Sequence, residues 1–185
     1  MRFLPLLTLT LGVSSLSGLA LTPSALSQQL PYPENSTFFT GEPPSLVSAD
    51  TPDSSVGWPE PHYYFTLNLP ASSKESLAKI TIAPEMSGDP ISFNLSKTQA
   101  FQGTSKSKGE DLTLQSVTQD KDTQLINVVF ASPVPPGTTF TVVLQPFNNP
   151  WESGTYLFTV QAFPAAENPI GIDLGVGRFT FYRRF

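Results

Sequence analysis

Residues 62–69 read His-Tyr-Tyr-Phe-Thr-Leu-Asn-Leu, and their order decides the fold class. Tyr63, Phe65, Leu67 and Leu69 alternate with His62, Tyr64, Thr66 and Asn68. Successive side chains of a strand point to opposite faces, so the first set shares one face and is expected to be core. On a helix the same four apolar groups would be scattered around the axis. The period of two recurs as Ile80/Ile82, Ile91/Phe93/Leu95, Leu112/Leu114, Ile126/Val128/Phe130, Phe140/Val142/Leu144, Tyr156/Phe158/Val160 and Phe179/Phe181. Short runs of this kind, spaced by Gly, Pro, Asn and Asp, specify an all-β domain. The expected architecture is an antiparallel immunoglobulin-like or Greek-key β-sandwich of about seven to nine strands. Val128-Val129-Phe130 and Val142-Val143-Leu144 are apolar on both faces, which marks covered, central strands.

Working outward, residues 72–79 form the one helical candidate, a turn or two capped by Ser73 that carries the chain from one sheet to the other after Pro70. Residues 133–137 (Pro-Val-Pro-Pro-Gly) and 148–154 (Asn-Asn-Pro-Trp-Glu-Ser-Gly) combine fixed φ with glycine freedom and read as turns between strands. Upstream, residues 28–61 contain seven prolines, from Pro31 to Pro61, each removing a backbone donor. This stretch is expected to be an irregular arm with short edge strands around residues 37–40 and 46–49.

Residues 1–27 read as a secretory signal: Arg2, an apolar run from Phe3 to Leu21, then Ala25 and Ser27 as a small-x-small cleavage pattern. The expected organisation is therefore signal peptide 1–27, Pro/Ser-rich arm 28–61 and β-sandwich domain 62–185, with an exported product in the periplasm, exterior or cell envelope. No later apolar run approaches the ~20 residues of a membrane-crossing helix, so no transmembrane segment is expected after cleavage. The chain has no cysteine, so packing rather than disulfides must hold it. After Ser27, nine basic residues face fifteen acidic ones. Nucleic acid is an unfavourable partner for such a surface, and Arg178, Arg183 and Arg184 are too few to form a phosphate-binding footprint.

The final third carries an ordered string: Pro135-Pro136-Gly137-Thr138, Pro146, Asn149-Pro150, Gly154-x-Tyr156-Leu157-Phe158, Gly171, Leu174-Gly175-Val176-Gly177-Arg178-Phe179 and Phe181-Tyr182-Arg183. Over roughly residues 58–185 this resembles a family of exported cyanobacterial proteins catalogued as domain of unknown function 2808. Position 148 holds Asn where the family pattern leads one to expect Arg. The resemblance implies a single β-rich domain in an envelope or secreted setting in a cyanobacterium, and supplies no activity.

Catalytic chemistry finds little to stand on. Ser76-Leu77-Ala78-Lys79 has S-x-x-K spacing, but the accompanying Ser-Asp-Asn and Lys-Thr-Gly motifs are absent from the sequence. His62 is the only histidine and no Gly-x-Ser-x-Gly elbow exists for it to serve. With one His and no Cys, soft-metal sites are disfavoured. Glu110-Asp111 and Asp120-Lys121-Asp122 are the one candidate for acids meeting across a hairpin to hold calcium, and a solvated turn between strands is the plainer expectation. No catalytic, cofactor-binding or metal residues are assigned. Arg178 is expected to fork onto a carboxylate, Glu152 or Asp173.

Trp58, Trp151 and Tyr182, with Asn149 and Arg178, are the expected contacts for an envelope protein or a polysaccharide. The expected function is a non-catalytic exported binding or structural module. A glycan- or wall-acting enzyme using Glu85, Asp89, Glu152 or Asp173, and a self-assembling envelope subunit, are the alternatives. Oligomeric state is left open.

Overall fold

The computed structural model describes residues 32–85 and 90–183; residues 1–27, where a signal peptide is expected, and Asp89 lie outside the described residues. The strands are, in chain order, β1 (Ser45–Asp50), β2 (Tyr63–Leu69), β3 (Leu77–Pro84), β4 (Gln99–Thr104), β5 (Ser107–Asp111), β6 (Leu114–Gln119), β7 (Ile126–Val134), β8 (Thr138–Leu144), β9 (Gly154–Pro164) and β10 (Ile172–Phe181). They form two five-stranded sheets, ordered β1-β2-β8-β4-β5 and β10-β9-β3-β7-β6. Every ladder is antiparallel.

The alternating sets meet between the sheets. Tyr63, Phe65, Leu67 and Leu69 are fully buried, as are Ile80, Ile82, Phe140, Val142, Phe158 and Val160. A tight aromatic group forms one end of this core: Tyr63 stacks on Phe179 with ring centroids 4.6 Å apart, and Phe158 meets Phe179 edge to face at 5.3 Å. Offset and edge-to-face pairs satisfy the ring quadrupoles while burying large apolar areas. The strands apolar on both faces, β7 and β8, do lie inside their sheets, with neighbours on each side.

Ten strands exceed the expected seven to nine because two carry little apolar period. β5 is exposed at every residue. β1 belongs to the proline-rich stretch and pairs with β2 as an edge strand. The helix expected over residues 72–79 is not formed. Leu77 is buried and opens β3, which is hydrogen-bonded to both β7 and β9, and this two-sided pairing overrides local helix preference. The helical element that does form is a 3-10 turn at Leu95–Lys97, so Ile91/Phe93/Leu95 contribute core contacts from an irregular segment. The crossing after Pro70 still carries the chain from the first sheet to the second. The Pro-rich turn after Val134 likewise crosses between sheets, from β7 to β8.

The two sheets meet differently along their two sides. On one side, β1 and β10 face each other, and parallel bridges Thr37↔Pro169 and Ser55↔Tyr182 tie them at both ends. Between those ties Gly177 faces inward; a Cβ there would stand 2.7 Å from the Ala49 methyl, so its absence lets the strands approach. On the other side, β5 and β6 are free edges joined only through Leu112 and Thr113.

Candidate binding site at one end of the sandwich

The segments that meet at one end are the 51–62 loop, residues 90–94, the 145–153 loop and the residues after β10. Proline and glycine prevent regular structure here, so backbone hydrogen bonds run from loop to loop. Asn149 N donates to Trp58 O (2.8 Å), Gly57 N to Pro150 O (3.0 Å), Glu60 N to Phe147 O (2.9 Å) and Phe147 N to Ser92 O (2.9 Å). Tyr182 N donates to Ser54 O (2.9 Å) and Val56 N to Tyr182 O (3.1 Å).

Asn149 sits at the centre of this web. Its side chain accepts a hydrogen bond from the Tyr63 hydroxyl (2.8 Å) and donates to the carbonyls of Ser55 (2.8 Å) and Asp53. It is 1% exposed. The expectation that Asn149 contacts a partner is therefore corrected: its polar atoms are consumed internally, joining the aromatic core to two loops. Burial, reinforced by Tyr156, pushes the Tyr63 phenol far above its ordinary value, so it remains a donor.

Around this hub the rings turn outward. Trp151 is 68% exposed, Tyr182 60%, Phe147 52% and Trp58 41%; these are four of the eight large exposed apolar side chains among the described residues. Phe147 escapes a reading by residue type. It lies beyond the end of β8, past Pro146, where the strand's covered pattern no longer applies. Pro90, Ser92, Phe147, Asn148, Asn149, Pro150 and Trp151 line a cleft of about 340 Å³. Gly57, at φ +64°, lies against Trp151: an added Cβ would be 2.4, 2.7 and 3.0 Å from three successive ring atoms. Such similar distances fit an approach over the ring face, so glycine covers one face of the indole and the other faces outward.

Arg178 stands apart. It is exposed on the outer face of β10 opposite Leu157, four residues before Tyr182 and so about 13 Å along the strand from it. The expected ion pair with Glu152 or Asp173 is absent; the salt bridge among the described residues is Lys108–Asp111 (2.9 Å). Asp173 Oδ1 instead accepts the Gly175 N–H (2.7 Å) in a β-bulge.

Other chemistry is dispersed. Lys79 lies on β3 with its ammonium 3.9 Å from the Phe163 ring centre, and the helix that S-x-x-K pairing requires is not formed. His62 stacks on Tyr64 (6.2 Å). Glu110 and Asp111 belong to one sheet, while Asp120 and Asp122 lie in the β6–β7 turn of the other, so they do not meet across a hairpin. Asp120 accepts from Thr123 N (2.8 Å), Thr123 Oγ1 (2.9 Å) and Asp122 N (3.0 Å), which holds its carboxyl below the ordinary range. Among the described residues no three His, Asp or Glu side chains form a potential metal site. Glu85 abuts Leu157 and Asp173 lies opposite Gln161, a separation of four strand residues, or about 13 Å. Among the described residues no helix is long and apolar enough to cross a membrane.

Solved structures with similar folds include BslA, a bacterial hydrophobin (TM-score 0.48, 16% identity, 78% of this chain and 98% of that one). The collagen-binding subdomain of the Enterococcus faecalis surface protein ACE gives 0.43 at 13% identity, over 77% of this chain and 95% of that one. An immunoglobulin-like protein from Nocardia farcinica gives 0.41 at 12% identity, over 72% and 96%. No curated protein matches the chain. A family model described as Protein of unknown function (DUF2808) matches residues 36–181.

Proposed function

The chain belongs to the DUF2808 family, and from its geometry we propose that it is a non-catalytic binding module of the cell envelope, in the periplasm or at the exterior, whose contact surface is the aromatic end of the sandwich. The observation that carries this reading is the grouping of Trp58, Phe147, Trp151 and Tyr182 on loops tied to one buried hub. Exposed Trp and Tyr on a rigid frame suit recognition, because they offer large contact area while few rotamers are lost on binding. The partner is another envelope protein or a surface glycan. The test is crosslinking and pull-down of tagged protein from cell envelopes, comparing wild type with Trp151→Ala. Equal recovery of every partner by both proteins would refute the assignment of this surface.

A second reading, self-assembly, is favoured by one feature. The free edge strand β6, Leu-Gln-Ser-Val-Thr-Gln, carries neither charge nor proline, the usual devices against edge-to-edge pairing. Light scattering with size exclusion tests it: a dimer or larger species that Thr118→Lys, at an exposed position of the edge, returns to monomer would support assembly, and a monomer at high concentration would refute it.

A further inference from the structure

Resting on that reading of the aromatic end, we infer that its ligand is a neutral polysaccharide, held by stacking on Trp151 and by hydrogen bonds from the cleft. Three observations converge. Trp151 has one ring face covered by Gly57 and is 68% exposed, which is the arrangement that lets an extended ligand lie flat on the indole. A pyranose presents a flat patch of C–H groups with hydroxyls at its rim, and the positive C–H edges complement the negative face of an aromatic ring. The cleft beside the ring is polar as well as aromatic: exposed Ser92 and Asn148 supply a hydroxyl and an amide, groups that both donate and accept as sugar hydroxyls do. No Lys or Arg is among its lining residues, and the neighbouring loop residues Glu60 and Glu152 are exposed acids. An anionic glycan, or a phosphate-bearing one, would meet repulsion rather than a counter-charge.

A protein partner would be expected to find an apolar, water-excluding centre. Here the exposed polar groups of Ser92 and Asn148 share the cleft with the rings, and the hydrogen bonds between loops hold those rings in place before any ligand arrives. Preorganisation of that kind matters most for ligands whose individual contacts are weak.

The experiment is native affinity electrophoresis of the full chain in gels containing neutral glucans, mannans or N-acetylglucosamine oligomers, with polygalacturonate as the anionic comparison and anionic lipid vesicles as a separate arm. Retardation by at least one neutral polymer and none by polygalacturonate is expected. Trp151→Ala and, independently, Phe147→Ala should weaken it, Trp151→Ala by about tenfold in Kd. Arg178→Ala, outside the cleft, should leave it unchanged, and thermal unfolding of each variant verifies that it is folded. Retardation by no neutral polymer, retention by polygalacturonate or vesicles instead, or equal retardation of wild type and both cleft variants would overturn the inference. If neutral polymers fail while envelope proteins crosslink to wild type and not to Trp151→Ala, the glycan inference falls and the binding surface stands. If neither assay distinguishes Trp151→Ala, both fall.

Discussion

Substituting Asn149 by Ala removes three hydrogen bonds from one buried position, and the cost can be worked out group by group. The two donated bonds to the carbonyls of Asp53 and Ser55 are each worth roughly 1 kcal/mol net. The Tyr63 hydroxyl, fully buried in the core, loses its acceptor, and an orphaned buried donor costs about 1–3 kcal/mol. The expected destabilisation is about 3–5 kcal/mol, which for a domain of this size corresponds to a fall in Tm of roughly 10 °C. Urea denaturation followed by circular dichroism measures it. Tyr63→Phe alone should cost about 1 kcal/mol, and the double variant less than the sum of the two singles by about 1 kcal/mol, because no unpaired hydroxyl then remains. A loss below about 1 kcal/mol for Asn149→Ala, or strict additivity, would refute the view that this side chain holds the loops to the core.

Gly177→Ala places a methyl 2.7 Å from the Ala49 side chain and 3.2 Å from the Phe65 ring, so an overpacking cost of about 1–3 kcal/mol is expected in the same denaturation assay; an unchanged midpoint would refute close contact at the seam. Phe158→Ala empties the centre of the aromatic core and should cost about 3–5 kcal/mol, with a loss under 2 kcal/mol contradicting the packing described. The Glu75 carboxyl, accepting hydrogen bonds from Thr40 Oγ1 and Thr40 N (both 2.6 Å), lies below its ordinary 4.5, so its contribution is present above that pH and is lost as pH falls through the lowered folded-state value. Glu75→Gln should flatten that part of the acid limb of stability against pH, and an identical limb would contradict it. Tyr63 behaves oppositely: its pKa is raised above the ordinary 10.0, so the unfolded chain releases a proton that the folded chain keeps, and stability declines as pH rises past 10. Tyr63→Phe should remove that decline in an alkaline denaturation series, and a decline equal to that of wild type would count against it.

The strands whose apolar side chains enter the core were legible because burial imposes the period of two: Tyr63 to Leu69 and Tyr156 to Val160 are buried as the alternation requires. β5 was not, since Ser-Lys-Gly-Glu-Asp has no face to bury and is ordered by its pairing with β4. Residues 72–79 misled because Ser, Lys, Glu and Ala are locally compatible with a helix, whereas the pairing of Leu77 with Val134 and Pro164 depends on residues more than fifty positions away. At the site, Trp58, Trp151 and Tyr182, named from residue type as contacts, are exposed. Residue type could not reveal the burial of Asn149, whose partners lie 86, 94 and 96 residues away in sequence. The Arg178 clamp failed because of register: Arg178 lies opposite Leu157 and Asp173 opposite Gln161, four residues, or about 13 Å, further along β9.

The seam between β1 and β10 joins the earliest strand of the fold to the latest, with Ser55 bridged to Tyr182 at one end. A growing chain can assemble its inner ladders as they emerge, yet the Ser54 and Val56 backbone groups have no mate until Tyr182 has been synthesised. Closure of the seam thus waits on groups far apart in sequence, so the inner ladders must first bring the two segments together before the sandwich locks.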